Sequence, residues 1–123
     1  MRRIDPAMLA LLGRILADAS DERLVAIFAD RERRYLGHET LASGSPGQVV
    51  VRVRLLFTRA LAFGACGVIL AHNHPSGDCR PSDSDLRTTE RLRDVAQALE
   101  MELLDHLIFA GGRCYSMASG RYL

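Results

Sequence analysis

Two short stretches of this chain are apolar without a break, Leu24 to Ala29 (LVAIFA) and Gly67 to Ala71 (GVILA). Runs of this length that lack polar alternation are expected of strands covered on both faces. Such a sheet needs helices to cover it. Pro6 to Ala17 supplies one candidate, with Asp5 as cap, Pro6 at the first helical position and Met8, Leu9, Leu12, Ile15 and Leu16 at helical spacing. Arg54 to Phe63 is a second, ending at Gly64 as a C-terminal cap. Ser82 to Leu99 is the third and longest, with Ser82 as N-cap and Asp85 three residues on.

Between these, Asp30 to Arg33 reads as a turn and Arg34 to Thr40 as the return strand of a hairpin. Leu41 to Gln48 (LASGSPGQ) reads as a loop, as does His72 to Pro81 (HNHPSGDCRP). Leu103 to Phe109 is a further strand, and Gly111-Gly112 turns the chain into a last short strand near Cys114 to Met117. Helices alternate with strands, so the fold class is α/β or α+β, with a mixed central sheet flanked by helices. At 123 residues the chain makes one globular domain, read as an N-terminal helix over 1–20 followed by the main domain over 21–123.

Charge narrows the partners. Sixteen basic residues, all arginine, stand against 15 acidic ones, a net charge of +1. That balance does not support nucleic acid as a partner, whose footprint is an excess of base, nor an anionic membrane. The apolar stretch near the N-terminus is short and is broken by Gly13 and Arg14. It predicts neither a signal peptide nor a membrane span, so a cytoplasmic location is expected. Cys66, Cys79 and Cys114 are an odd number with no CxxC pair, which is not a disulfide framework.

The chemistry concentrates in AHNHPSGDCRPSDSD, Ala71 to Asp85, directly after a buried strand. His72 and His74 lie two apart, so on an extended chain they point to one face and can reach one metal ion. Pro75 and Gly77 turn the chain away, and Asp85 in the first turn of the next helix can swing back as a third ligand. Two nitrogens and one oxygen leave a fourth position for water, the open arrangement of a catalytic zinc site. The same donors would also accept iron, cobalt or manganese. Asp85 has a purely local alternative, a capping box with Ser82.

His72-x-His74-Pro75, six residues, then Ser82-x-x-Asp85 resembles the JAMM signature of the JAB/MPN metalloprotease superfamily. HNHPSGDCRPSDSDLRTTERL and ELLDHLIFAGGRCYSM are similar to its bacterial RadC-like branch. The resemblance covers roughly Asp21 to Met117. It implies a cytidine-deaminase-like (MPN) fold, zinc held by His72, His74 and Asp85, and Ser82 supporting the water or the oxyanion. It further implies an upstream glutamate at a strand start, working with water at the metal as general base and acid. Glu22 fits that place best; Glu39 and Glu32 are the competitors, read as solvated. The implied activity is zinc-dependent cleavage of a peptide or isopeptide bond in a peptide or protein substrate. A homodimer is compatible with it.

Two departures bear on that reading. Full-length RadC-like proteins carry an N-terminal helical, DNA-binding-like region, for which this chain is too short, and Cys79 stands where the branch often has proline. Cys79 is read as an exposed loop residue. Two rival readings are a DNA-associated accessory protein and a protein-interaction module with structural zinc. The string His72-Asn73-His74 is not an HNH nuclease, which spreads those residues over a ββα unit. A zinc deaminase would need H-x-E with P-C-x-x-C. His38 and His106 are read as incidental, with His106 paired to Asp105. Cys66 and Cys114 are read as core, and Arg31, Arg33 and Arg34 as a solvated turn.

Overall fold

A computed structural model describes residues 4–17, 19–47 and 49–123. Parts of two sequence expectations therefore lie outside the described residues: positions 1–3 and 18 of the N-terminal segment, and Gln48 at the end of the LASGSPGQ loop.

Helix α1 is Pro6–Leu16, and Asp5 caps it by accepting the Ala7 N–H. Strand β1 (Glu22–Ala29) and β2 (Tyr35–Gly44) form an antiparallel hairpin. Helix α2 (Val53–Ala62) follows, then β3 (Gly67–Asn73), α3 (Asp83–Ala98), β4 (Glu102–Ala110), β5 (Arg113–Ser116) and the two-residue β6, Arg121–Tyr122. The six strands make one mixed sheet in the order β2-β1-β3-β4-β5-β6. Only β3 and β4 run parallel, joined by α3 as a crossover.

Strand β1 shows how the unbroken apolar runs are used. Val25 and Ile27 point to one face, where they pack with Met8, Leu12 and Leu16 of α1 and with Ile69, Ala71 and Leu107. Leu24, Ala26 and Phe28 point to the other, against Leu56, Phe57 and Ala60 of α2 and Leu92 and Ala96 of α3. The sheet is the middle of three layers, and β3 is buried along its whole length. The N-terminal helix is thus one of the covering layers of the domain.

Several boundaries differ from the sequence expectations. Strand β2 continues through Leu41 to Gly44, read as loop, because β1 offers it partners as far as the Glu22–Gly44 pair. Register shifts at Leu24/Val25 and Phe28/Ala29 absorb the irregularity. Strand β3 extends through His72 and Asn73, which pair with Ile108 and Phe109 of β4. Cys66 precedes β3 and is only half-buried, so it is not a core residue; Cys114 is buried, as read. Arg33 and Arg34 in the hairpin turn are ion-paired to Glu102 and to Asp30 and Glu32.

Candidate metal centre

The site forms where β1 begins and β3 ends. Leu24 pairs with His72, so Glu22 starts beside the end of β3. Asn73 closes the strand directly after His72, and the His74 N–H still donates to the Phe109 carbonyl at 2.9 Å. Pro75 and Gly77 then reverse the chain: Gly77 has φ +89°, and its N–H donates to the His74 carbonyl. Gly111 allows this turn to approach β4, since a Cβ there would stand 3.3 Å from the Gly77 carbonyl oxygen.

The two histidines converge, with their Nε2 atoms 2.9 Å apart. Asp85 closes the group, its two carboxylate oxygens each 3.4 Å from one of those nitrogens. Glu22 approaches from the other side, and the donor atoms of Glu22, His72 and His74 lie within 4.8 Å of one another. The Glu22 carboxylate is steadied by accepting the Gly47 N–H at 3.1 Å.

Hydrogen-bond partners assign the tautomers. His74 Nδ1 meets the Asp78 carbonyl at 2.8 Å and so carries a proton there, leaving Nε2 bare in the neutral ring. The Thr89 hydroxyl donates to the Asp85 backbone carbonyl and therefore accepts from His106 Nδ1 at 2.7 Å. His106 Nε2 is then an acceptor, and His72 Nδ1 donates to it at 2.9 Å, leaving His72 Nε2 bare as well. Two lone pairs and a carboxylate thus face one another, an arrangement that a cation or a proton between them would hold together. The edges of a tetrahedron around zinc with ligands at ~2.0–2.1 Å are roughly 3.3–3.4 Å, which the Asp85 contacts match. The donor set fits a metal ion.

Electrostatics follow the same geometry. Burial would raise the Asp85 carboxyl, but a proton shared with it from the Nε2 of His72 or His74, the positive charge this brings to His72, and the Ser82 N–H hold it far below the usual carboxylate range. The Asp85 carboxylate in turn raises His74 above its ordinary 6.5, against the opposing effect of burial and with help from the Asp78 carbonyl and the Glu22 charge. His106 is 2% exposed, and burial first, then the neighbouring His72, lowers it to about 3, so it stays a neutral relay.

Residues 5–122 match the profile of the RadC-like JAB domain. The chain belongs to this family. It is 40% identical over 103 residues to UPF0758 protein YfjY of Escherichia coli (strain K12), covering 84% of this chain and 64% of that protein. It is 40% identical over 112 residues to UPF0758 protein Reut_A2732 of Cupriavidus pinatubonensis, covering 91% and 49%. A UPF0758 protein of Aquifex aeolicus is 41% identical over 104 residues, 82% and 45% of the two lengths. The chain spans about half to two thirds of the length of these relatives.

In this RadC-like JAB domain, the candidates sort as follows. Glu22, His72, His74 and Asp85 come together at one point. Ser82 caps α3: its hydroxyl oxygen accepts the Asp85 N–H, while the Ser82 N–H donates to Asp85 Oδ2. The capping box of Asp85 is therefore formed, and the same carboxylate still faces both histidines, so the box leaves it free to act as a ligand. Glu39 lies away in β2, ion-paired to Arg59, and Glu32 is exposed in the hairpin turn. His38 bonds the Tyr35 hydroxyl.

Two corrections concern residues read as bystanders. Cys79 is 4% exposed, its thiol directed at the carbonyls of Ile108, Ala110 and Arg113, and burial raises its pKa. His106 uses its ring on His72 and Thr89, while the Asp105 carboxylate receives the His106 N–H, the Ser116 hydroxyl and the Ala118 N–H. Thr89 and Asn73 went unread as positioning residues. Asn73 is buried; it accepts the Arg23 N–H and donates to the Asp21 carbonyl, bracketing Glu22. A polar side chain inside an otherwise apolar strand end was the available signal for it.

Proposed function

We propose that this protein is a metal-dependent hydrolase that cleaves a peptide or isopeptide bond, with zinc as the metal. The observation that carries this reading is the placement of a free carboxylate, Glu22, against an open two-histidine, one-aspartate set at the end of a buried strand. A cleft of about 170 Å³ lies over these groups, lined by Val49, Val51 and Val53 on one side and by Thr88 and Arg91 of α3 on the other. A site that only stabilises the fold has no use for an extra base or for room beside it.

His72, His74 and Asp85 would hold the metal. When bound, it would supply Lewis acidity, polarising the scissile carbonyl and bringing the pKa of water toward ~7. Glu22 then does the proton work, taking a proton from the attacking water and delivering it to the leaving nitrogen. Its hydrogen bond from Gly47 keeps the carboxylate aimed. The Ser82 oxygen accepts one N–H and retains its own hydroxyl proton, which it can donate to the developing oxyanion. The valine wall excludes water from the apolar part of the substrate.

The test compares wild type, Glu22→Gln and His74→Ala for metal content and for cleavage of a quenched peptide library. Wild type should hold about one zinc per chain, and His74→Ala should lose it. Glu22→Gln should keep the metal and lose roughly 10²–10⁴-fold in rate, the usual worth of a general base. Failure of wild type to take up zinc, or full activity in Glu22→Gln, would sink the reading.

A further inference from the structure

Next to the cleft lies a second groove of about 530 Å³, rimmed by Arg52, Arg54 and Arg91. The two spaces adjoin, since Val51, Val53 and Arg91 line both. All three arginines are exposed. Among the described residues none of them joins an ion pair, and no acidic residue lines the groove. Among the described residues Arg23, Arg33, Arg34, Arg59 and Arg80 are each paired with a carboxylate, while Arg14, Arg31, Arg87, Arg93, Arg113 and Arg121 join no ion pair, like the three of the groove. What sets the groove apart is three such charges on one concave surface with no acid among its lining. Arg52 and Arg54 also stand at the start of α2, where the helix dipole disfavours cations. That position has an electrostatic cost which an anionic ligand would remove.

We propose that this groove binds an acidic stretch of the peptide substrate, so that Arg52, Arg54 and Arg91 set a preference for Asp or Glu near the scissile bond. The inference rests on the hydrolase reading above. The spacing follows from α3. Asp85 and Arg91 are six residues apart, about 9 Å at 1.5 Å per residue. An extended peptide advances ~3.3 Å per residue, so the preferred acid stands about three residues from the bond. Arginine forks suit carboxylates bidentately, and the apolar floor of Val51, Val53 and Leu55 suits a peptide's aliphatic side chains. Single-stranded nucleic acid, the other polyanion, is recognised by basic grooves that also carry aromatic platforms, and no aromatic residue lines this one.

The experiment measures binding, by fluorescence anisotropy on zinc-loaded Glu22→Gln protein, so that cleavage does not intrude. The probes are three fluorescein-labelled ten-residue peptides of one alanine–glycine background, carrying three Glu, three Gln or three Lys, and a ten-nucleotide oligothymidylate. The Glu peptide should bind roughly tenfold tighter than the Gln peptide, the worth of about one charge-assisted hydrogen bond. Arg54→Glu and Arg91→Glu should each abolish that preference. Arg31→Glu, the same charge change at the opposite end of β1, should leave it intact. Equal binding of the Glu and Gln peptides, a preference that survives the Arg54 and Arg91 reversals, or tighter binding of the oligonucleotide would overturn the proposal. Repeating the series on His74→Ala separates the two readings. An acid preference that persists while wild type cleaves nothing sinks the hydrolase alone. Cleavage of the neutral peptide with no acid preference sinks the groove alone.

Discussion

Thr89 presents one hydroxyl to two partners, giving its proton to the Asp85 carbonyl and receiving one from His106. That single orientation propagates through His106 to His72 and leaves His72 Nε2 free for a metal. Thr89→Val keeps the shape and removes the hydroxyl. His106 Nδ1–H is then buried without an acceptor, at a cost of about 1–3 kcal/mol. The ring can escape only by switching tautomer, which would reverse the His72 tautomer and protonate Nε2, the nitrogen proposed as ligand. Zinc affinity should fall about 10–100-fold, the usual worth of such supporting contacts, as read by competition with a chromophoric chelator. A stability loss with unchanged zinc affinity would show that Thr89 merely packs. His74 carries a pH prediction. Its pKa is raised above 6.5, chiefly by the hydrogen bond to Asp85, and metal binding needs the neutral ring. The apparent zinc affinity should therefore start to fall at a higher pH than an ordinary histidine would set. Chelator competition at several pH values between 8 and 5 measures the apparent affinity at each, and an affinity that stays flat across that range would contradict the assignment.

At the scale of elements, α3 begins with a box that serves two purposes. The Ser82 hydroxyl and the Asp85 carboxylate each satisfy the other's N–H, and the same carboxylate faces both histidines. Ser82→Ala should cost about 1 kcal/mol in unfolding free energy through the lost cap. It should also weaken zinc binding, because the Asp85 backbone N–H loses its acceptor and the first turn of α3 loosens, although the backbone N–H of residue 82 still donates to the carboxylate; Ser82→Thr, which can still cap, should restore both. Chemical denaturation with and without zinc reads the two effects, and a zinc affinity untouched in Ser82→Ala would separate cap from ligand. This box was legible in the sequence because Ser82 and Asp85 are three residues apart and their geometry is local. His72 and His74 were legible for the same reason, as neighbours on one strand face. Glu22 stands 50 residues upstream, and only family resemblance singled it out. Thr89 and His106 act through contacts made 17 and 34 residues apart in sequence, which no local pattern encodes. The missed end of β2 is similar. Leu41 to Gly44 has the composition of a loop, and its strand form is imposed by the partner β1 lends it. Cys79 was misread because polar neighbours on both sides conceal that its own side chain turns inward against β4 and β5.

The whole molecule is a sheet between two unequal covers, α1 on one face and α2 with α3 on the other. The candidate metal centre belongs to the strand ends and to α3; α1 packs on one face of the sheet, opposite α2 and α3. Stability and metal binding should therefore separate cleanly. Leu12 is fully buried in the layer formed with Val25, Ile27 and Ile69. Leu12→Ala should cost about 2–5 kcal/mol, lowering the unfolding midpoint of the metal-free protein. Zinc affinity should be unchanged, because Glu22, His72, His74 and Asp85 are not members of that cluster. Zinc at a hundred times its dissociation constant should then return about 2.7 kcal/mol to wild type and variant alike, since the gain depends only on occupancy of the folded state. Parallel denaturation curves, with and without zinc, measure this directly. Equal zinc-dependent shifts would establish α1 as a cover that does not shape the site. A smaller shift in Leu12→Ala would mean that the α1 layer positions β3, and with it His72, so that the two faces of the sheet act as one.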